Sequence, residues 1–255
     1  GPHATILPET LLTNNDHFID FVVVGEGEKT IVKIMDDLFN ERIWPIEDRI
    51  VQGEIIEDLD SLPFPARDLV PKRYFCHGRT SILASRGCPF NCSFCQPTLR
   101  KMFGSKIRRR TPSNVIQEMK VCHEHFNLRI FEFFDDTFTS DKAWVYDFCD
   151  QLEDCRFSLE ILTRVDMLDL ELLKRMKEAG LKRISLGIET GSQEILNSYG
   201  KGTTVEQNLK VVKMCNRLGV KVHGFFMIGA LDETKESIAA SKQFLKQVKF
   251  ETIFV

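Results

Sequence analysis

Apolar and polar positions recur along this chain with two different periods, and their order predicts an α/β protein. Near the start, Asp20-Phe21-Val22-Val23-Val24 is a short β-branched run that ends in Gly25-Glu26-Gly27-Glu28, a strand followed by a glycine turn. Ile31, Ile34, Met35, Leu38 and Phe39 then fall at the spacing of one helical face, which predicts a helix over 29–40. From residue 80 the alternation becomes regular. Strand-like runs lie at 81–84, 129–134, 157–162, 183–186, 221–228 and 250–255. Helical patterns separate them at about 114–126, 141–152, 169–179, 204–218 and 233–247. Strand followed by helix, about six times over, implies parallel βαβ units with right-handed crossovers. Such a repeat closes toward a barrel or an open half-barrel, that is a full or a partial (β/α)6 barrel, and in either form the chemistry sits at the C-terminal ends of the strands.

A lone strand and helix cannot close a core, so residues 1–44 read as the last part of a larger α/β domain. Residues 45–77 carry Pro45, Pro63, Pro65 and Pro71 with little periodicity and read as a linker. Residues 78–255 form the barrel layer, which stops inside its sixth strand. Composition narrows the class. Of 255 residues, 43% are hydrophobic and 28% charged, which argues against disorder. The net charge of −3 argues against a nucleic-acid partner held by phosphate neutralisation. No apolar run approaches the roughly 18 residues of a membrane span, and no signal peptide precedes the first strand. Eight Cys at uneven spacing do not resemble a secreted disulfide scaffold. The expected setting is the reducing cytoplasm.

The strongest chemical signal is Arg86-Gly87-Cys88-Pro89-Phe90-Asn91-Cys92-Ser93-Phe94-Cys95. Three thiols in a short loop after a strand suit an iron–sulfur cluster, since such clusters are held by Cys thiolates. Three Cys on a [4Fe–4S] cube leave one iron open to chelate a cofactor or substrate. Structural zinc usually wants four ligands in two hooks, and Cys76 and Cys122 form no second hook. A redox pair, Cys92 and Cys95, leaves Cys88 unexplained. Cys76, Cys122, Cys149, Cys155 and Cys215 read as small apolar residues.

With this motif, residues 80–255 resemble the radical S-adenosylmethionine (SAM) enzymes. The resemblance implies that Cys88, Cys92 and Cys95 hold the cluster and that its open iron binds the amino and carboxylate groups of SAM. Reductive cleavage of SAM then releases a 5′-deoxyadenosyl radical, with the electron coming from a donor such as flavodoxin or ferredoxin. Phe94 matches the family's aromatic beside adenine, with ordinary loop packing as the alternative. Ser185-Leu186-Gly187-Ile188-Glu189-Thr190-Gly191-Ser192 is close to the family's Gly-Ile-Glu-Ser-Gly, which implies that Glu189 accepts from the amino group or ribose of SAM. Gly224-Phe225-Phe226-Met227-Ile228-Gly229 matches a segment whose apolar residue packs on adenine, here Ile228; a buried strand residue is the alternative.

Other positions are less specific. Asp135 and Asp136 end a strand at the catalytic rim on opposite sides, and Asp136 is taken as the one facing the site. The other carboxylate is then a helix cap. Arg164 is a candidate for the carboxylate of SAM or substrate, against a surface ion pair. Gly229-Ala230-Leu231-Asp232-Glu233-Thr234 departs from the family's Gly-Leu-Pro-Gly-Glu-Thr, with Asp232 as the expected cap of the next helix. The run Lys106-Ile107-Arg108-Arg109-Arg110 reads as a solvated loop before a Ser113 cap, or as a meeting point for an anionic substrate.

Residues 1–44 resemble the end of a Rossmann-like cobalamin-binding domain fused to a radical SAM core. The linker Asp58-Leu59-Asp60-Ser61-Leu62-Pro63-Phe64-Pro65-Ala66-Arg67 is typical of that fusion. His3 lines the nucleotide tail of cobalamin in this reading, with a plain turn as the alternative. The resemblance implies a cobalamin-dependent methyltransferase of a small-molecule substrate. In that scheme one SAM methylates cob(I)alamin, a second supplies the radical, and the substrate radical takes the methyl group. The alternatives are a cyclase or rearrangement enzyme on a tetrapyrrole or lipid, or an RNA methylthiotransferase, which lacks its second three-Cys set and basic domain here.

Overall fold

The computed structural model describes residues 1–14, 18–40, 49–95, 97–153 and 155–255. These form two compact units: Gly1–Leu59 with Arg86–Phe90 and Cys95–Arg108, and Asp60–Ser85 with Asn91–Phe94 and Arg109–Val255. The division differs from the expected 1–44, 45–77 and 78–255, and the boundary expected at 44/45 lies outside the described residues.

The first unit contains helices α1 (Pro2–Ile6), α2 (Pro8–Asn14) and α3 (Glu28–Phe39), strands β1 (Val22–Val24) and β2 (Ile50–Gln52), and helix α4 (Pro97–Phe103). Strand β2 pairs parallel with β1, Val23 opposite Val51, so part of the segment read as a linker is sheet. That pairing is non-local, and three residues carry too little periodicity to show it in sequence. The glycine turn after β1 places Glu26 in the interior, its side chain fully buried. Arg108 grips it at two points, Nη2 to Oε1 at 2.5 Å and Nη1 to Oε2 at 2.9 Å. The Ile56 N–H donates to Oε2 at 2.7 Å, and Arg86 stands 3.5 Å from Oε1. Burial works to raise the Glu26 pKa, but the Arg108 hydrogen bond, the Ile56 amide and both guanidinium charges hold it below the usual range. The solvated-loop reading of 106–110 is therefore corrected: Arg108 is the buried partner of a buried carboxylate, the arrangement an interior charge needs.

The second unit is built on a six-stranded parallel sheet of β3 (Arg79–Ile82), β4 (Ile130–Phe133), β5 (Ser158–Thr163), β6 (Leu181–Glu189), β7 (Lys221–Phe226) and β8 (Thr252–Phe254). The strands lie side by side in chain order, as expected of consecutive parallel βαβ units. The crossovers carry α5 (Pro112–Phe126), α6 (Lys142–Gln151), α7 (Leu170–Glu178), the pair α8 (Gln193–Ser198) and α9 (Val205–Arg217), and α10 (Lys235–Leu245). Phe131, Phe133, Leu159, Ile161, Ile184 and Leu186 from the strands and Met119, Phe148, Leu172 and Val212 from the helices share one buried core. Thr111, Asp141, Asp169, Thr204 and Thr234 cap the five long helices through their side chains. The caps expected at Ser113 and Asp232, and at one of Asp135 and Asp136, are thus corrected to Thr111, Thr234 and Asp141. Gly180 turns the chain from α7 into β6 at φ +109, where a Cβ would meet the Phe157 carbonyl at 2.3 Å.

From Asp60 onward the Pro-rich segment belongs to this unit as a strap. The Asp60 carboxylate accepts from the Thr111 backbone N–H at 3.0 Å and its hydroxyl at 2.6 Å. Arg67 donates to the Ser81 carbonyl at 2.8 Å and pairs with the buried Glu118 at 2.6 Å. Arg110 reaches the same Glu118 and lies over the Phe64 ring. Among the described residues no helix is long and apolar enough to cross a membrane.

Candidate functional site

In the second unit the ends of β4, β5 and β6 carry the polar residues, because the strands deliver their C-terminal tips to one edge. Strand β6 ends irregularly. Its register against β7 shifts between Gly187 and Glu189, and Glu189 sits at φ +66, a left-handed conformation uncommon for a residue with a side chain. The shift turns the Glu189 side chain back over Gly187, where a Cβ would meet its Oε1 at 2.3 Å and Lys201 Nζ at 2.5 Å. The Ile188 carbonyl left out of the ladder accepts from the buried Asn208 amide at 3.1 Å. Lys201 donates to Glu189 Oε1 at 2.5 Å and to the Gly187 carbonyl at 2.6 Å. In sequence Lys201 does not stand out, since a single Lys after a short helix looks like any surface cation. Its signal is the spacing from Glu189 through α8, legible only once the tip is folded.

Arg164 follows β5 and is buried rather than in a surface pair. Its Nε and Nη2 donate to Asp166 at 3.0 and 2.8 Å, Nη2 also donates to the Lys201 carbonyl at 2.6 Å, and Nη1 points at Cys92 Sγ at 3.4 Å. A chain of contacts thus runs from Cys92 through Arg164 and Lys201 to Glu189. Ser93 is tied to the same turn, its N–H donating to the Tyr199 carbonyl at 2.9 Å. Phe94, 38% exposed, stands edge-on to Tyr199 with centroids 5.0 Å apart.

Asp135 and Asp136 lie just past β4, and the two differ. Asp135 is fully buried and accepts from the Ala84 N–H at 3.1 Å and from the Ser85 hydroxyl. Burial pushes its carboxyl up to about 6 against the pull of Ser85, Ala84 and the Arg109 charge. Asp136 is half-buried, and burial raises its pKa too. Ile228 lies beyond the end of β7 and is 65% exposed, which corrects the alternative of a buried strand residue.

In the first unit, Cys88 and Cys95 flank the turn of the three-thiol loop, and Gly87 precedes it at φ +97. None of Cys88, Cys92 and Cys95 is in a disulfide, and all three are at least partly exposed. Among the described residues no three His, Cys, Asp or Glu are drawn together as a metal site. The donor set itself fits an iron–sulfur cluster: three accessible thiols at the spacing x3 and x2. Cys122, Cys149 and Cys215 are buried, and burial pushes the last two thiols up to about 12, as expected of inert core residues. His3 is exposed on α1, a helix rather than the plain turn expected as its alternative.

Comparison with known proteins extends this picture. The chain is 34% identical to an uncharacterized methyltransferase of Pyrococcus horikoshii, over 98% of this chain and 58% of that protein. It is 30% identical to a putative methylthiotransferase of Methanocaldococcus jannaschii, over 97% of this chain and 57% of that one. It is also 30% identical to the anaerobic magnesium-protoporphyrin IX monomethyl ester cyclase of Cereibacter sphaeroides, over 93% of this chain and 42% of that one. The chain thus spans about half the length of the curated relatives it matches. Among solved structures, the cobalamin-dependent SAM radical enzyme OxsB, with aqua-cobalamin and SAM bound, shares the fold. The TM-score is 0.81 at 20% identity, over 96% of this chain and 38% of OxsB. Residues 82–245, from the strand before the three thiols to the last crossover helix, match the Radical SAM superfamily, and the chain belongs to that superfamily.

Proposed function

We propose that this chain is the catalytic part of a cobalamin-dependent radical SAM methyltransferase acting on an unactivated carbon of a small molecule. The observation that carries the reading is the superfamily match over residues 82–245 together with the Cys88-x3-Cys92-x2-Cys95 loop inside it. When bound, the [4Fe–4S] cluster and SAM supply a 5′-deoxyadenosyl radical, and cobalamin supplies the methyl group. Every other part of the chemistry falls to the chain's own groups. Cys88, Cys92 and Cys95 hold the cluster. Glu189 accepts from the amino group or ribose of SAM, and Lys201 beside it offers a cation to the SAM carboxylate. Phe94 and Ile228 present the apolar surface on which adenine packs, and Asp136 faces the site from the end of β4. Residues 1–44 act as the last part of a cobalamin-binding domain, with His3 near the nucleotide tail. Support for cobalamin comes from the OxsB fold, whose likeness spans both units. A flavodoxin or ferredoxin delivers the electron, in a cytoplasm that keeps the thiols reduced.

The cyclase relative favours a second reading, radical cyclisation of a tetrapyrrole-like substrate without methyl transfer. One experiment separates the two. The reconstituted full-length protein is incubated anaerobically with methyl-labelled SAM, hydroxocobalamin and a low-potential reductant. The methyltransferase reading expects 5′-deoxyadenosine together with label on cobalamin. Formation of 5′-deoxyadenosine with no label on cobalamin supports the cyclase reading instead, and absence of both products overturns each.

A further inference from the structure

We infer that Arg164 is a positioning residue for the Cys92 thiolate, whose charge raises the reduction potential of the cluster, and that it does not serve as a receptor for the SAM carboxylate. The inference rests on the proposed role of Cys92 as an iron ligand.

The geometry of the guanidinium carries it. A guanidinium presents five N–H donors in one rigid plane. Asp166 takes one edge at two points, Nε to Oδ1 at 3.0 Å and Nη2 to Oδ2 at 2.8 Å. The second Nη2 direction goes to the Lys201 carbonyl at 2.6 Å. With the plane fixed on that side, Nη1 is aimed at Cys92 Sγ, 3.4 Å away. The side chain is only 9% exposed, so this is a desolvated contact rather than a passing surface approach. A carboxylate receptor normally offers its two-pronged edge to the ligand. Here that edge is already spent on Asp166, and Lys201 is the nearer cation to Glu189.

The chemical consequence follows from charge. Hydrogen bonds and positive charge at cluster sulfurs stabilise the more negative, reduced form and set the potential. Arg164 is a cation in any case, because a guanidinium is not deprotonated in proteins. Asp166 has two effects: it orients the guanidinium and partly neutralises it. Removing Arg164 and removing Asp166 should therefore move the potential in opposite directions, which a merely structural pair would not do.

The test uses the full chain reconstituted with iron and sulfide under anaerobic conditions. Parent, Arg164→Gln, Arg164→Lys and Asp166→Asn are compared by iron content, by EPR-monitored reductive titration and by equilibrium SAM binding. Arg164→Gln is expected to lower the midpoint by the equivalent of about tenfold in the one-electron equilibrium, about 59 mV, with SAM affinity within about twofold of parent. Arg164→Lys should fall between the two, and Asp166→Asn should shift the midpoint upward. If Arg164→Gln fails to take up iron, the opposite shifts of Arg164→Lys and Asp166→Asn still decide. Parent-like potentials in all variants overturn the inference, as does a tenfold loss of SAM affinity at unchanged potential. A parent chain that takes up no iron overturns instead the reading of Cys92 as a ligand.

Discussion

Lys201 Nζ lies 2.5 Å from Glu189 Oε1, and the two side chains are 4% and 8% exposed, so a full ion pair is enclosed at the tip of β6. The partners are 12 positions apart in sequence, and only α8 and the turn after it bring them together. Breaking one side of such a pair leaves an uncompensated buried charge, which costs about 3–5 kcal/mol. Glu189→Gln should therefore lower stability in urea by that order and weaken SAM binding about ten- to a hundredfold, the worth of one charge-assisted hydrogen bond. The double variant Glu189→Gln with Lys201→Met should regain most of the stability and none of the affinity. SAM affinity unchanged in the single variant would assign Glu189 a structural role.

Cluster uptake offers a sharper contrast between cysteines. Alanine at Cys88, Cys92 or Cys95 should abolish the roughly four iron and four sulfide expected per chain. Cys215→Ala should keep them and lose about 1 kcal/mol of stability, because it only trims a buried side chain. Iron and sulfide assays after anaerobic reconstitution check both. Full iron in Cys92→Ala would remove that thiol from the ligand set.

Asp135 predicts a pH dependence of stability. Its carboxyl is pushed from 3.8 to about 6 in the folded protein, so the native state keeps a proton that the unfolded chain has already released. Stability contributed by this group is complete below about pH 4, falls as pH rises toward 6, and is lost above it. A shift of this size corresponds to about 3 kcal/mol. Asp135→Asn keeps an acceptor for the Ala84 N–H and does not titrate. Urea midpoints at pH 4 and pH 7 should therefore differ less in the variant than in the parent, and equal differences would mean that Asp135 ionises normally.

In the first unit, Glu26→Gln should cost about 3–5 kcal/mol, since Arg108 would remain buried with its charge unmatched. Replacing both by Met and Leu should cost much less, because well-packed apolar residues often substitute for a buried pair without loss. Thermal denaturation of the three proteins checks the ordering. A mild single variant would show that water reaches Arg108.

The repeating strand and helix pattern was legible residue by residue from position 80 onward. Period-2 and period-3.6 spacing are local properties, and the six parallel strands lie close to the runs at 81–84, 129–134, 157–162, 183–186, 221–228 and 250–255. The three-thiol loop was equally plain, because its three Cys are close neighbours in sequence. Arrangements made between distant segments were not legible. Strand β2 needed β1 as a partner, the basic run needed Glu26 and Glu118 to become interior, and the Pro-rich segment needed Thr111 and Ser81 to become a strap. Burial decided these cases: a cation is drawn inside only where a carboxylate already waits, and no local pattern announces that meeting. Glu189 shows both sides at once. Its place between glycines marked it as unusual in the bare chain, while its left-handed backbone, its turn over Gly187 and its partner Lys201 arise only where β6 shifts register against β7.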